Sequence, residues 1–320
     1  MYHEPDPAIR MTGLTKRYGP VTALDRLSLD VPQGSVFGFL GPNGAGKTTA
    51  MKILAGLIRP TDGSATIAGQ PVTVDGGHRR SLGYLAQDPS FYGWMTGRQT
   101  LRYVASFYPS IERPEHQVDE LIRLVGLQDA ADRKTKTYSG GMLQRLGIAQ
   151  ALVGRPPVVV LDEPAAALDP LGRRDVLALL DQLRGHATVL YSTHILDDVQ
   201  RVSDRVAILD HGRLVRASAT DELIASFSQD RLSVVLGGAD DSTAVALATL
   251  NGVAGVTPGP IVNGARSYEV ATRPDAGAIA QAAITGFAAA GGLVLMRNEP
   301  QNVDLESIFV RLIDQKEVAA

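Results

Sequence analysis

The chain contains no cysteine in its 320 residues. Disulfides and thiolate metal sites are therefore excluded. Excess basic charge is missing too: 31 Lys and Arg stand against 34 Asp and Glu, a formal net charge of -3. That excludes the bulk basic footprint of a dedicated nucleic-acid binder. A long, strongly apolar run is also lacking. The nearest candidate, 278–296, carries no Asp, Glu or Lys, but it is mostly alanine, holds Gln281 and Thr285, and is broken at Gly291-Gly292. A membrane helix wants about 20 strongly apolar residues. This stretch is expected to form a buried helix, a glycine stop and a strand over 293–296. The start, Met1-Tyr2-His3-Glu4-Pro5-Asp6-Pro7, lacks the basic opening and apolar core of a signal peptide. No internal repeat or low-complexity tract is found. The chain is expected to be soluble by itself, so work at a membrane would require another chain to cross it.

Apolar residues alternate along 22–31 at Leu24, Leu27, Leu29 and Val31, a strand pattern. An apolar strand over 35–40 runs into a glycine-rich loop. Helical spacing of Met51, Ile53, Leu54 and Leu57 then predicts a helix over 47–58. Helices dominate 97–132 and resume over 140–152. Residues 158–161, Val-Val-Val-Leu, read as a strand buried on both faces of a parallel sheet. Strands and helices alternate from there to about 218, which predicts an α/β sheet sandwich. Near Phe227 the texture changes. The order strand, helix, strand, strand, helix, strand over 231–296 predicts a ferredoxin-like split unit, with a closing helix over 305–313. The expected division is an α/β domain over 8–225, with a helical subdomain over about 88–152, and a C-terminal accessory domain over 226–320.

Three motifs carry chemistry. Gly41-Pro42-Asn43-Gly44-Ala45-Gly46-Lys47-Thr48 has P-loop spacing between a strand and a helix. Successive backbone N–H groups in such a loop form a concavity for phosphates, and the helix start adds its positive end. Lys47 is expected to reach the β- and γ-phosphates. Thr48 would bind Mg²⁺, and Thr49 would add a phosphate contact. Val158-Val159-Val160-Leu161-Asp162-Glu163 places two carboxylates at the end of a buried strand, where open α/β sheets bind ligands. Asp162 would hold the metal, and Glu163 would polarise the attacking water as general base. Finally, Ser139-Gly140-Gly141 opens a helix. Ser139 can cap it, but a cap does not account for two glycines. One P-loop does not need a second phosphate-binding helix start in its own site, so these residues are expected to face the γ-phosphate of a partner chain.

With these motifs in this order, residues of roughly 8–220 resemble the ATP-binding cassette family. Gly41 to Thr48 matches its Walker A motif, 158–163 its Walker B motif, and Ser139-Gly140-Gly141 its signature. The resemblance implies a P-loop NTPase fold with a mixed core sheet, an antiparallel β subdomain and a helical subdomain, followed here by a small α+β domain. It implies that Gln87 senses the metal and contacts a membrane partner. Ala167-Leu168-Asp169 would cross the dimer, His194 would contact the γ-phosphate, and Tyr18 would stack on adenine. Lys47, Gln87, Glu163 and His194 form the implied catalytic set. Asn43, Gly44, Gly46, Lys47, Thr48, Thr49, Tyr18 and the signature triplet form the nucleotide contacts. Thr48, Gln87 and Asp162 would be the metal ligands. Tyr138 and Met142 replace the commoner leucine and glutamine, and Ala165-Ala166-Ala167 lacks the usual hydroxyls. Tyr138 to Met142, Met95 to Leu101 and Leu305 to Leu312 resemble the bacterial drug-exporter branch that includes daunorubicin-resistance ATPases.

The implied function is ATP hydrolysis in an exporter, with ATP and Mg²⁺ bound between two copies of this chain. A separate permease would be driven from the inner face of the cell membrane, and no nucleic acid is expected. The alternative is a soluble cassette ATPase acting on ribosomes or DNA. Against it stand the single cassette and the lack of zinc-binding cysteines or long coiled coils between Lys47 and Ser139.

Overall fold

In the computed structural model, the structure describes residues 6–166, 168–228, 231–274 and 276–300. The expected helix over 305–313, the drug-exporter-like segment there and Ala167 lie outside the described residues. The chain divides into two compact units, 1–220 and 221–320.

The first unit begins with β1 (Ile9–Tyr18) and β2 (Val21–Val31), an antiparallel pair, followed by β3 (Val36–Leu40) and α1 (Lys47–Leu54). The next strands are β4 (Asp62–Ile67), β5 (Gln70–Pro71) and β6 (Leu82–Leu85). Two helices follow, α2 (Gly97–Ala105) and α3 (Pro114–Leu124), then α4 (Gly140–Leu152) and β7 (Val158–Leu161). The unit is completed by α5 (Pro170–Gln182), β8 (Thr188–Thr193), α6 (Leu196–Val202), β9 (Arg205–Asp210) and β10 (Arg213–Ala219).

A six-stranded sheet has the order β10-β9-β3-β8-β7-β6. All its pairings are parallel except that of the edge strand β10. A four-stranded antiparallel sheet, β2-β1-β4-β5, lies in the same unit. The apolar run of β7 shows how the centre of the six-stranded sheet is covered on both faces. Successive side chains of a strand point to opposite sides. Val158 and Val160 join a core with Met11, Leu24, Phe39 and Met51, whereas Val159 and Leu161 join one with Leu101, Leu121, Ile148 and Leu180.

Local chemistry sets the ends of the helices. Thr96 caps α2: its hydroxyl accepts from the Gln99 N–H at 3.1 Å, and the Gln99 side chain accepts from the Thr96 N–H at 2.9 Å, a reciprocal capping box. Tyr138, which replaces the commoner leucine, is buried and donates its hydroxyl to the Ala130 carbonyl at 2.8 Å. Its ring end lies against Gly97, where a Cβ would collide with the hydroxyl. Tyr138 and Gly97 thus fit each other. Helix α1 stops at Leu54, short of the expected residue 58. Arg79 and His78 explain the stop. Arg79 Nη2 donates to the Gly56 carbonyl at 2.8 Å, and His78 Nε2 lies 3.0 Å from the Leu54 carbonyl, so side chains from another segment satisfy the helix end.

The second unit opens on α7 (Thr220–Ser228), a helix not expected from the sequence, which runs through the expected boundary at 225. It comprises β11 (Arg231–Gly237), α8 (Thr243–Ala248), β12 (Val253–Val262), β13 (Ala265–Thr272), α9 (Gly277–Ala290) and β14 (Val294–Pro300). Its antiparallel sheet has the order β12-β13-β11-β14, the arrangement of the split β-α-β-β-α-β unit. Expecting a buried helix near 278 was wrong in one respect. Only the face carrying Ala280, Ile284 and Ala288 is buried, and Ile279 is 52% exposed. Alanine-rich composition hid an amphipathic helix, because small side chains leave little difference between its two faces.

Phe39 is fully buried in β3. Phe39→Ala should cost about 3–5 kcal/mol of stability, measured as a lowered denaturant midpoint for the first unit.

Candidate functional site

The parallel strands β3, β7 and β8 end side by side, in the register Leu40 beside Thr193 and Leu161 beside Tyr191. Their carboxyl ends therefore deliver three segments to one place: the loop 41–48, Asp162-Glu163 and His194. Ligands bind at that end of an open α/β sheet. A cavity of about 450 Å³ opens there, lined by Ala23, Asn43, Gly44, Gly46, Lys47, Thr48, Thr49, Gln87 and Glu163, among others.

The loop is shaped from beneath. A Cβ on Gly41 would come within 2.5 Å of the Leu209 carbonyl oxygen, and one on Gly46 within 2.5 Å of the Ala23 carbonyl oxygen. Gly46 also has φ 101°, a left-handed value, where it begins α1. These two glycines are thus required by the protein's own backbone beneath the loop as well as by any ligand above it.

Lys47 is buried. Its ammonium donates to the Gly41 carbonyl at 2.6 Å and lies 3.5 Å from Glu163 Oε1. Desolvation holds its pKa below the usual lysine value, opposed by the charge of Glu163. A desolvated cation at the mouth of a phosphate cradle gains when an anion arrives. Thr48 donates its hydroxyl to Asp162 Oδ1 at 3.2 Å.

Asp162 is fully buried. Its Oδ1 accepts from Thr48 and from Ser192, whereas Oδ2 has no hydrogen-bond partner among the described residues. A buried, unpartnered carboxylate oxygen is costly, and here it sits beside a threonine hydroxyl. That donor set fits a hard divalent cation, which favours carboxylate and hydroxyl oxygen together with substrate phosphate. The Tyr84 hydroxyl is likewise buried without a partner among the described residues. Desolvation, then the Asp162 charge, pushes its pKa up to about 12, so it stays protonated.

Glu163 bridges two cations or donors. Its Oε1 faces Lys47, and its Oε2 accepts from His194 Nδ1 at 3.0 Å. Its backbone has φ 49°. That left-handed geometry is uncommon for a residue other than glycine and turns the chain sharply at the strand end. Ser192, which the sequence reading did not single out, holds both carboxylate residues in place. Its hydroxyl donates to Asp162 Oδ1 at 2.7 Å and accepts from the Glu163 N–H at 2.8 Å. The residue lies two positions before His194 on β8, and that proximity to the histidine was the available signal.

Other expected site residues lie apart. Tyr18 is 49% exposed at the end of β1, with the Lys16 ammonium 5.0 Å from its ring centroid, and does not line this cavity. Ser139, Gly140 and Gly141 also lie outside the lining. Ser139 caps α4 by accepting from the Met142 N–H at 3.3 Å. A Cβ on Gly140 would meet nothing within 4 Å among the described residues, and one on Gly141 only Leu168 at 3.5 Å. Asp169 caps α5, accepting from the Gly172 N–H at 2.7 Å.

Comparison with known proteins agrees with this geometry. Residues 24–166 match the family model described as ABC transporter. The chain is 40% identical over 216 residues to the uncharacterized ABC transporter ATP-binding protein YxlF of Bacillus subtilis (strain 168), covering 67% of this chain and 72% of that one. It is 40% identical over 260 residues to the daunorubicin/doxorubicin resistance ATP-binding protein DrrA of Streptomyces peucetius, covering 80% and 78%. Among solved structures, it is similar to the dimeric post-hydrolysis state of the ATP-binding cassette MJ0796 bound to ADP and Pi, with TM-score 0.60 and 26% identity over 66% of this chain and 98% of that chain. The chain belongs to the ABC transporter ATP-binding proteins. It is an ATP-binding subunit that hydrolyses ATP.

Ser192→Ala removes a hydroxyl that serves two partners in a dry site. It should cost about 1–3 kcal/mol, seen as a lower thermal midpoint, together with slower ATP turnover in a phosphate-release assay.

Proposed function

We propose that two copies of this chain bind two ATP molecules between them and drive export through a separate membrane permease. The observation that carries the shared site is the room around Gly140 and Gly141. The chain's own packing leaves space for a side chain at Gly140 and nearly so at Gly141, yet glycines stand at the exposed start of α4. A helix start bared in this way suits close approach by the phosphate of a second subunit. The dimeric state of MJ0796 and the general action of such subunits as dimers with a permease support this reading.

In the proposed site, the loop N–H groups and Lys47 hold the β- and γ-phosphates, with Asn43, Gly44, Gly46 and Thr49 around them. Thr48 and Asp162 would hold Mg²⁺, with Gln87 at its edge. Bound there, the ion would neutralise charge on the transferred phosphoryl group. Glu163 accepts a proton from the attacking water as general base. His194 keeps Glu163 oriented through Nδ1, leaving Nε2 to face the γ-phosphate. Ser139, Gly140 and Gly141 serve the partner's site, and Tyr18 flanks the adenine.

Among the described residues, no helix is long and apolar enough to cross a membrane. The permease therefore supplies the path and the substrate pocket, and this chain works from the inner face of the membrane. The daunorubicin/doxorubicin resistance protein supports a drug-like substrate class. We divide the chain into an ATP-binding domain over 8–225 and an accessory domain over 226–320.

Glu163→Gln should keep ATP binding but lower turnover by about a hundredfold or more and accumulate an ATP-bound dimer, read by size-exclusion chromatography. Lys47→Ala should weaken ATP binding itself. The shared site has its own test in Gly140→Val. This variant should fold and bind ATP as the wild type does, yet fail to dimerise or turn over. A fully active Gly140→Val protein would remove the signature from the site.

A further inference from the structure

Asp198 lies on the first turn of α6 and is 1% exposed. Arg173 Nε, from the first turns of α5, donates to its Oδ1 at 2.6 Å. Thr193 Oγ1 lies 3.5 Å from its Oδ2 and itself accepts from the Ile195 N–H at 3.0 Å. The Tyr191 hydroxyl donates to the Asp198 carbonyl at 3.1 Å. The turn Thr193-His194-Ile195 is thus tied to Asp198 through Thr193. Burial pushes the Asp198 carboxyl upward, and the Arg173 hydrogen bond pulls it back.

The position of Arg173 gives this pair its meaning. Helix α5 starts at the Asp169 cap, a few residues after Glu163 along the chain. The interactions close a ring. Glu163 leads by covalent chain to Asp169 and Arg173, Arg173 binds Asp198, and α6 leads back to His194, which binds Glu163. Just before the cap, Leu168 lies where it would touch a Cβ on Gly141 of the signature. An ion pair that is buried on its Asp198 side therefore joins the start of α5 to the helix that follows His194. The segment at 165–166 is alanine and offers no hydroxyl that could carry the signal.

We propose that Arg173 and Asp198 are positioning residues that link the start of α5 to His194, so that the histidine meets Glu163 only when α5 is in place. This rests on the proposed roles of His194 and Glu163. Because Asp198 is 1% exposed, removing Arg173 leaves a buried charge without its partner.

The test uses the full chain with ¹³C-labelled histidine. His194 is assigned as the resonance missing in His194→Gln. ATP affinity and turnover at saturating Mg-ATP are measured on the same preparations. Arg173→Met should shift the His194 resonance and lower kcat about fivefold or more, with the ATP Kd within about twofold. Arg174→Met, which changes an exposed neighbour, should leave all three at wild type.

Should Arg173→Met fold poorly, the double variant Arg173→Met/Asp198→Asn removes the stranded charge and keeps the link cut. Its kcat should stay low and its His194 resonance displaced. An unmoved His194 resonance, an unchanged kcat, or recovery of kcat in the double variant would overturn the proposal. Absence of turnover in the wild type would instead count against the ATPase reading, and the two failures are thereby distinct.

Discussion

The parallel register of β3, β8 and β7 is the constraint on which the site depends. Leu40 sits beside Thr193, and Leu161 beside Tyr191, so three loops distant in sequence leave the sheet at one level. Parallel pairing with helical crossovers makes this possible, because every strand then ends on the same side. Apolar packing on both faces fixes the register. A one-residue slip of β7 would exchange Val158 and Val160 with Val159 and Leu161 between two separate cores.

Given that register, a few polar contacts set the chemistry. Ser192 fixes Asp162 and the Glu163 backbone, His194 and Lys47 fix the Glu163 carboxylate, and Thr48 meets Asp162 from the start of α1. Each group is held by a neighbour from a different segment. The geometry is thus a property of the sheet rather than of any one loop. The left-handed Glu163 backbone is tolerable because both its ends are held in this way.

Much of this was legible in the sequence where the signal is local. The apolar runs of β3 and β7 and the loop spacing around Lys47 need only neighbouring residues to be read, and α4 was placed at its observed bounds. What stayed hidden depends on distant partners. Helix α1 ends early because Arg79 and His78 cap it from beyond β5. Ser192 looks like any strand serine until β7 is laid beside β8. Helix α7 was missed although Leu223, Ile224 and Phe227 have helical spacing, because the change of texture near Phe227 was read as a boundary.

The fit of Tyr138 over Gly97 has a consequence for building hybrid cassettes. The segment before α4 and the segment that opens α2 form one matched unit, because the tyrosine hydroxyl occupies the space a Cβ would take and reaches the Ala130 carbonyl. Exchanging only the signature segment for one with leucine would leave a hole beside Gly97 and an unanswered carbonyl. Exchanging only the α2 segment for one without glycine would drive a side chain into the ring. The two stretches, some forty residues apart along the chain, must be transplanted as a pair.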